Sequence, residues 1–143
     1  MFYWPVRVYY EDTDSGGVVY YANYLKYLER ARTEWLRNLG VEQDVLAESA
    51  GVLFAVRALS IDYLGPARFN DLLYAGAALD ERRAASLVFR QRVVRAASAP
   101  AAATAGAAEE LCTARVQVVC LDAAGLRPRR IPDFLWAEIE RDG

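Results

Sequence analysis

The spacing of apolar residues changes from alternating to helical near the start of this 143-residue chain. Apolar and polar side chains alternate through residues 3–11, which predicts a strand. From residue 22 to residue 39 the apolar side chains recur at helical spacing, which predicts a long amphipathic helix. Asn23 is a candidate N-cap of this helix, and Gly40 stands where a C-terminal cap is expected. The apolar stripe consists of Tyr24, Leu28, Ala31, Trp35 and Leu39, and it is widened by Leu25, Tyr27 and Leu36.

Strand-like segments dominate the rest of the chain. One strand, one long helix and then about four antiparallel strands predict an α+β arrangement in which a sheet packs on a helix. The alanine-rich segment 96–108 is interrupted by Pro100 and Gly106 and predicts a long loop, and a short apolar segment, 134–136, follows Pro132. We expect a short helix at 42–49, strands at 53–63, 71–79, 84–95 and 112–120, and turns at 65–66 and 122–125.

The length and composition are ordinary for a single globular domain. We expect one domain over residues 1–143. A net charge of −2 gives no sign of a general nucleic-acid binder. No apolar run approaches the roughly 20 residues of a membrane span, and the apolar N-terminus lacks a basic segment, so we expect a soluble, cytoplasmic protein. A single sheet on one helix leaves sheet edges to cover, which favours a homo-oligomer.

The absence of histidine excludes several mechanisms. A Ser-His-Asp hydrolase and a histidine-dependent metal centre both need a side chain that this sequence does not contain. Cys112 and Cys120 lie in one strand-like run, about 26 Å apart at the usual rise per residue, so they cannot form a disulfide with each other there. We expect two buried thiols.

The run Tyr9–Tyr24, YYEDTDSGGVVYYANY, is the richest in candidate chemistry. It places three carboxylates just before a Gly-Gly turn and the start of the long helix. Asp14, the last of the three, could act on an acyl group bound at the free amides of the helix start. Spacing alone favours a simpler interpretation, in which Asp12 and Asp14 only shape the turn.

The longer run YYEDTDSGGVVYYANYLKYLERARTEWL resembles the signature of the 4-hydroxybenzoyl-CoA thioesterase family of hotdog-fold enzymes. It is most similar to the Tol–Pal-associated acyl-CoA thioesterase subgroup (YbgC-type). The likeness continues through VRALSIDYLGPARFNDLL, SLVFRQRV and RPRRIP. The resemblance implies the hotdog fold, an antiparallel sheet wrapped around the 22–39 helix. It also implies hydrolysis of acyl-CoA without a metal or other cofactor, in a homodimer or homotetramer with its sites between subunits.

The resemblance also implies roles for residues near the motif. Asp14 would be the catalytic carboxylate, as nucleophile or as base for a water molecule. The backbone amide of Tyr21 would polarise the thioester carbonyl, although the subgroup usually carries a histidine side chain there. Tyr10 would orient the reacting groups through its hydroxyl, or would instead be a core aromatic residue. Asn23 would line the substrate pocket.

Candidate CoA-binding residues lie farther along the chain. Arg82 and Arg83 resemble an arginine pair that binds the CoA nucleotide in this family, and Arg130 is a further candidate. Guanidinium groups match phosphate oxygens in two-point contacts, but arginines in a hairpin are more often simply solvated. Ser86 would also line the pocket.

Two other functions compete with thioester hydrolysis. A hotdog dehydratase acting on acyl carrier protein resembles this chain in fold, but such enzymes use a histidine. A non-catalytic acyl-CoA-binding or scaffold module on the same fold would be favoured if the catalytic carboxylate were replaced, and here Asp14 is retained.

Overall fold

The computed structural model describes residues 1–95 and 108–142. The alanine-rich segment predicted as a loop lies outside these ranges, apart from Ala108. The elements are β1 (Phe2–Arg7), a 3-10 turn (Tyr10–Asp12), α1 (Asn23–Asn38), α2 (Gln43–Ala50), β2 (Val52–Tyr63), β3 (Leu72–Arg82), β4 (Ser86–Arg95), β5 (Glu109–Asp122) and α3 (Asp133–Asp142). The predicted long helix, the short second helix and the four later strands are therefore confirmed.

The five strands form one antiparallel sheet in the order β1-β3-β4-β5-β2. One face of α1 packs on this sheet, where the Trp35 ring meets Phe89 of β4 edge-on at 5.1 Å between ring centroids. The arrangement is the α+β hotdog fold that the resemblance implied. The buried side chains of α1 are Tyr24, Tyr27, Leu28, Ala31, Trp35 and Leu36.

A buried glutamine joins α1 to the middle of the sheet. The Gln91 side chain of β4 is only 1% exposed. Its Nε2 donates to the carbonyl oxygens of Leu28 at 3.0 Å and Gly76 at 3.2 Å, and its Oε1 accepts from Arg32 at 2.9 Å. All the polar atoms of this side chain are thereby satisfied, as burial requires. The contact fixes the position of α1 along the sheet.

The predicted first strand is too long at its C-terminal end. It was expected over residues 3–11, but β1 ends at Arg7 and residues 10–12 form the 3-10 turn. The Asp12 carboxylate accepts a hydrogen bond from the Tyr9 amide at 2.8 Å, and the Asp12 amide donates to the Tyr9 carbonyl at 3.0 Å. An Asp side chain that binds a nearby backbone amide competes with strand pairing in this way. The alternation of apolar and polar residues therefore continues beyond the end of the strand and into the turn.

The C-terminal helix α3 was not predicted. The sequence analysis treated residues 134–136 as a short apolar segment, whereas the helix covers Asp133–Asp142. Ile131, Leu135 and Ile139 lie four residues apart and are all buried. This spacing marks one helix face, and it was the signal available in the sequence. None of the described helices is long and apolar enough to cross a membrane.

Cys112 and Cys120 are both buried free thiols on β5, as predicted. Burial raises the pKa of Cys112 to about 12, and burial also raises the pKa of Cys120. Because the thiolate is the reactive form, both residues should be inert in the folded protein.

We therefore expect no rapid reaction of either cysteine with Ellman's reagent at pH 8 in the native state, and two thiols per chain in guanidinium chloride. An engineered surface thiol, Ser49→Cys, serves as the reactive control, since Ser49 is exposed on α2. Rapid labelling of Cys112 or Cys120 without denaturant would contradict the buried positions.

Candidate active site

The residues from Asp12 to Tyr20 form a short ribbon that leads into α1. The Tyr20 amide donates to the Asp12 carbonyl at 2.9 Å, and the Asp14 amide donates to the Val18 carbonyl at 2.9 Å. The chain therefore turns back on itself between Asp14 and Val18. This ribbon brings the start of the long helix next to the loop that carries the predicted catalytic carboxylate.

The Asp14 side chain is exposed in the single chain. Its Oδ1 accepts a hydrogen bond from the Gly16 amide at 2.8 Å, and its backbone carbonyl accepts from Gly17 at 3.0 Å. A Cβ on Gly16 would lie 3.2 Å from Oδ1, and Gly17 has φ 79°, which favours glycine. Within the described residues Oδ2 has no hydrogen-bond partner, so one carboxylate oxygen stays open to a ligand.

The start of α1 has no side-chain cap. The N-cap residue is Ala22, so the prediction of Asn23 as N-cap is wrong. The Asn23 amide donates to the Tyr20 carbonyl at 2.9 Å. The amides of Tyr21 and Ala22 find no acceptor within residues 1–95 and 108–142. Unpaired amides at a helix start carry partial positive charge and can donate hydrogen bonds to an anion or a polarised oxygen.

Three side chains hold the helix start in place instead of capping it. Asn23 Nδ2 donates to the Asp12 carbonyl at 2.9 Å, which ties α1 to the ribbon. The Tyr24 hydroxyl accepts from the buried Ala67 amide at 3.1 Å, which ties α1 to the segment before β3. The Tyr63 hydroxyl, at the end of β2, donates to the Tyr21 carbonyl at 3.0 Å.

A group of exposed aromatic side chains surrounds the helix start. Tyr63 lies edge-on to Tyr21 and Tyr24, with ring centroids 6.1 Å and 5.6 Å away. Tyr10 is 75% exposed and stacks on Phe69 at 3.7 Å, so it is not a core residue. Large exposed aromatic patches of this kind mark binding or interaction surfaces.

Asp12 has a second neighbour that the sequence analysis missed. The hydroxyl of Tyr27 is buried and has no hydrogen-bond partner among the described residues. Burial and the nearby negative charge of Asp12 both raise the pKa of Tyr27, which keeps this hydroxyl protonated. Asp12 therefore has a structural role in the ribbon, while Asp14 faces solvent.

The predicted CoA-binding residues lie at the opposite end of the sheet. β3 has 11 residues between Leu72, near the ribbon, and Arg82, which separates the two ends by about 33 Å. The Ile131 amide donates to the Ala84 carbonyl at 2.9 Å, so the chain after β5 returns to the β3–β4 hairpin. The structure thereby groups Arg82, Arg83, Ser86 and Arg130 at one end of the sheet, away from Asp14, Tyr21, Tyr10 and Asn23 at the other.

The arginines of this basic end are only loosely engaged. Arg82 contacts Glu140 at 3.3 Å and Arg83 contacts Glu81 at 2.8 Å, in exposed ion pairs that contribute little stability. Arg130 is exposed and makes no ion pair with the described residues. Ser86 is buried at the first position of β4. The three guanidinium groups can therefore exchange their present contacts for phosphate.

The described residues contain no cluster of three acidic or thiol side chains that could hold a metal ion. The candidate reactive groups at the start of α1 are the carboxylate of Asp14 and the open amides of Tyr21 and Ala22. Such a pair can attack, or direct water at, a carbonyl carbon whose oxygen is bound by the amides.

Comparison with known proteins agrees with this geometry. Residues 16–102 match the thioesterase superfamily. The chain is 43% identical over 141 residues to the acyl-CoA thioester hydrolase YbgC of Escherichia coli O6:H1, covering 99% of this chain and 97% of that protein. A probable thioesterase from Bartonella henselae superposes with a TM-score of 0.79 at 32% identity, over 91% of this chain and 98% of that one. The hypothetical protein TT1821 from Thermus thermophilus superposes with a TM-score of 0.84 at 28% identity, over 99% and 98%.

A sheet wrapped on one long helix, with a carboxylate-bearing ribbon leading into that helix, defines a hotdog-fold protein. The matched range covers more than half of the chain, and the E. coli relative matches nearly all of it. The chain therefore belongs to the thioesterase superfamily and is a homologue of acyl-CoA thioester hydrolases.

Removing the Asn23 side chain should loosen the ribbon from α1. We expect Asn23→Ala to lower the free energy of unfolding by about 1 kcal/mol, the usual net value of one hydrogen bond. Urea denaturation followed by circular dichroism gives the measurement.

The control for this change is Asn38→Ala, at the other end of α1, where the side chain makes no hydrogen bond with the described residues. This control variant corrects the measured unfolding free energy for the higher helix propensity of alanine, which affects both substitutions. Equal unfolding free energies for the two variants would show that the Asn23 contact contributes nothing.

Proposed function

We propose that this protein hydrolyses acyl-CoA thioesters to a free acid and CoA. The observation that carries the proposal is the open amide of Tyr21, which directly follows the ribbon that presents Asp14. The E. coli relative bears the name of the same activity. Because CoA is an intracellular carrier, the reaction belongs in the cytoplasm.

The chemistry follows from the two parts of the site. The thioester oxygen accepts a hydrogen bond from the Tyr21 amide, which stabilises the negative charge that develops there; one such donor contributes about 100- to 1000-fold in rate. The free Oδ2 of Asp14 attacks the carbonyl carbon or removes a proton from an attacking water. CoA leaves as the thiol, and water completes the hydrolysis. The amide function survives the replacement of the subgroup histidine by Tyr21, since any residue except proline supplies an N–H.

The complete site needs a second copy of the chain. β2 forms one edge of the sheet, and its residues 56–60 are all exposed, with Val56 at 45% and Leu59 at 42%. A long exposed apolar edge is a surface for strand pairing. Tyr63, at the end of this edge, touches Tyr21. A second copy that paired along β2 would therefore border the helix start.

Two-fold pairing along β2 also accounts for the distant arginines. Val52, where β2 begins, lies at the same end of the sheet as Arg82 and Ser86, and Tyr63 lies at the other end. Antiparallel pairing of β2 with its copy places the basic end of one chain beside the Asp14 end of the other. We infer that Arg82, Arg83 and Arg130 of one subunit bind the CoA phosphates of a substrate that reacts at Asp14 of its partner.

The Asp14→Asn variant should lose at least about 100-fold in kcat, because an amide is neither a base nor a nucleophile. CoA release from a panel of short, long and aromatic acyl-CoA esters measures the rate. Asp44→Asn, an exposed change on α2, is the matched control and should keep wild-type activity.

Full activity of a folded Asp14→Asn variant would disprove the proposed chemistry. If the wild-type protein retained acyl-CoA intact in native mass spectrometry and released no CoA, the chain would be a binding module instead of an enzyme.

Mixed dimers test whether two copies share each site. We expect Arg82→Ala with Arg83→Ala to raise KM for acyl-CoA and to leave KM unchanged for N-acetylcysteamine thioesters, which lack the nucleotide. A mixed dimer is then made from one Arg82→Ala/Arg83→Ala chain and one Asp14→Asn chain, and it is isolated through two different tags. This mixed dimer should regain one intact site. At low substrate concentration it should then show about half of the wild-type rate.

If each site were built from one chain, the mixed dimer would contain one site without its arginines and one without Asp14. Its rate at low substrate concentration would then not exceed half of that of the Arg82→Ala/Arg83→Ala enzyme. Arg141→Ala, at an exposed position of α3 on the same chain, is the control for the loss of an arginine.

A further inference from the structure

We propose that two adjacent amides, Tyr21 and Ala22, bind the thioester oxygen, and that Tyr63 is the residue that positions the second of them. The inference rests on the proposed function and adds to it a second oxyanion donor and a positioning residue from β2. Both amides lack an acceptor in the described part of the chain.

The geometry of a trans peptide links Tyr63 to the Ala22 amide. The carbonyl of Tyr21 and the N–H of Ala22 belong to one planar unit and point in opposite directions. The Tyr63 hydroxyl donates to that carbonyl at 3.0 Å, whereas the helical bond to it from the Tyr24 amide is long, at 3.4 Å. The tyrosine therefore supplies the closer of the two contacts that fix the orientation of this peptide plane.

The neighbouring peptide plane is fixed from within the helix start. The Asn23 amide donates to the Tyr20 carbonyl at 2.9 Å, which orients the plane that carries the Tyr21 N–H. Each donor of the pair thus has its own fixed peptide plane, one held by the backbone and one by a side chain. Donors fixed before the reaction do not have to reorient as charge develops on the oxygen.

The Tyr63 hydroxyl is protonated at neutral pH and can therefore donate its hydrogen bond throughout the reaction. Burial raises the pKa of Tyr63 above the ordinary value of a phenol, so the hydroxyl keeps its proton at neutral pH. Its ring packs edge-on against Tyr21 and Tyr24. A phenylalanine at this position would keep these ring contacts and lose only the hydrogen bond.

Tyr63→Phe should therefore lower kcat by about ten-fold and change KM by less than about two-fold. The Ala22 amide is still present in this variant but is less well oriented, so the loss falls short of the 100- to 1000-fold expected for a missing donor. A contact that acts only in the transition state changes kcat and not KM. Tyr74→Phe removes a hydroxyl on the other face of the sheet and should leave both constants unchanged.

Ala22→Pro tests the second donor directly. Ala22 has φ −68°, which a proline ring adopts, and its amide makes no hydrogen bond within the described residues that the ring would remove. Because proline disfavours the αR conformation of the residue before it, circular dichroism checks the fold of the variant. The variant should lose about 100- to 1000-fold in kcat while its urea unfolding midpoint stays near that of the wild type.

The inference is overturned if Tyr63→Phe keeps wild-type kcat, if it raises KM alone, or if a folded Ala22→Pro enzyme turns over at the wild-type rate. Should Ala22→Pro fail to fold, the kcat and KM of Tyr63→Phe still decide. Loss of activity in Asp14→Asn together with full activity in both new variants would leave the proposed function standing and remove only this inference. Full activity in Asp14→Asn would remove the function itself.

Discussion

The start of α1 is held in place without being capped, and the candidate chemistry depends on this. The amides of Tyr21 and Ala22, which directly precede the first helical residue, have no acceptor among the described residues. Here Asn23, Tyr24 and Tyr63 anchor the same turn through other atoms. The helix start is thereby rigid, and its amides stay available to a substrate oxygen.

The second constraint is the open edge of the sheet at β2. This strand contributes Tyr63 to the helix start and leaves residues 56–60, in its middle, exposed. The same element therefore organises the site within one chain and offers the surface on which a second chain would complete it. Within one chain, roughly 33 Å separates Arg82 from the Asp14 end of the sheet.

The sequence predicted most of the fold because most elements are amphipathic on their own. α1 was placed to within one residue at each end, and β5 was placed correctly but extends three residues further at its start and two at its end. The missed helix α3 did carry an apolar pattern of its own, whereas two other errors fall where a polar contact overrides the pattern. Asp12 ends the first strand early by binding the Tyr9 amide. Asn23 has the composition of a cap but donates to the ribbon instead.

By itself, the sequence determined the order of the elements, the buried face of the long helix and the identity of the candidate carboxylate, because these follow from local periodicity and from a contiguous motif. The tertiary structure alone decided which groups stand around that carboxylate. Tyr63 reaches Tyr21 across 42 positions of sequence, and Tyr24 reaches Ala67 across 43. Such contacts depend on how the sheet curves around the helix, and no local pattern records that curvature.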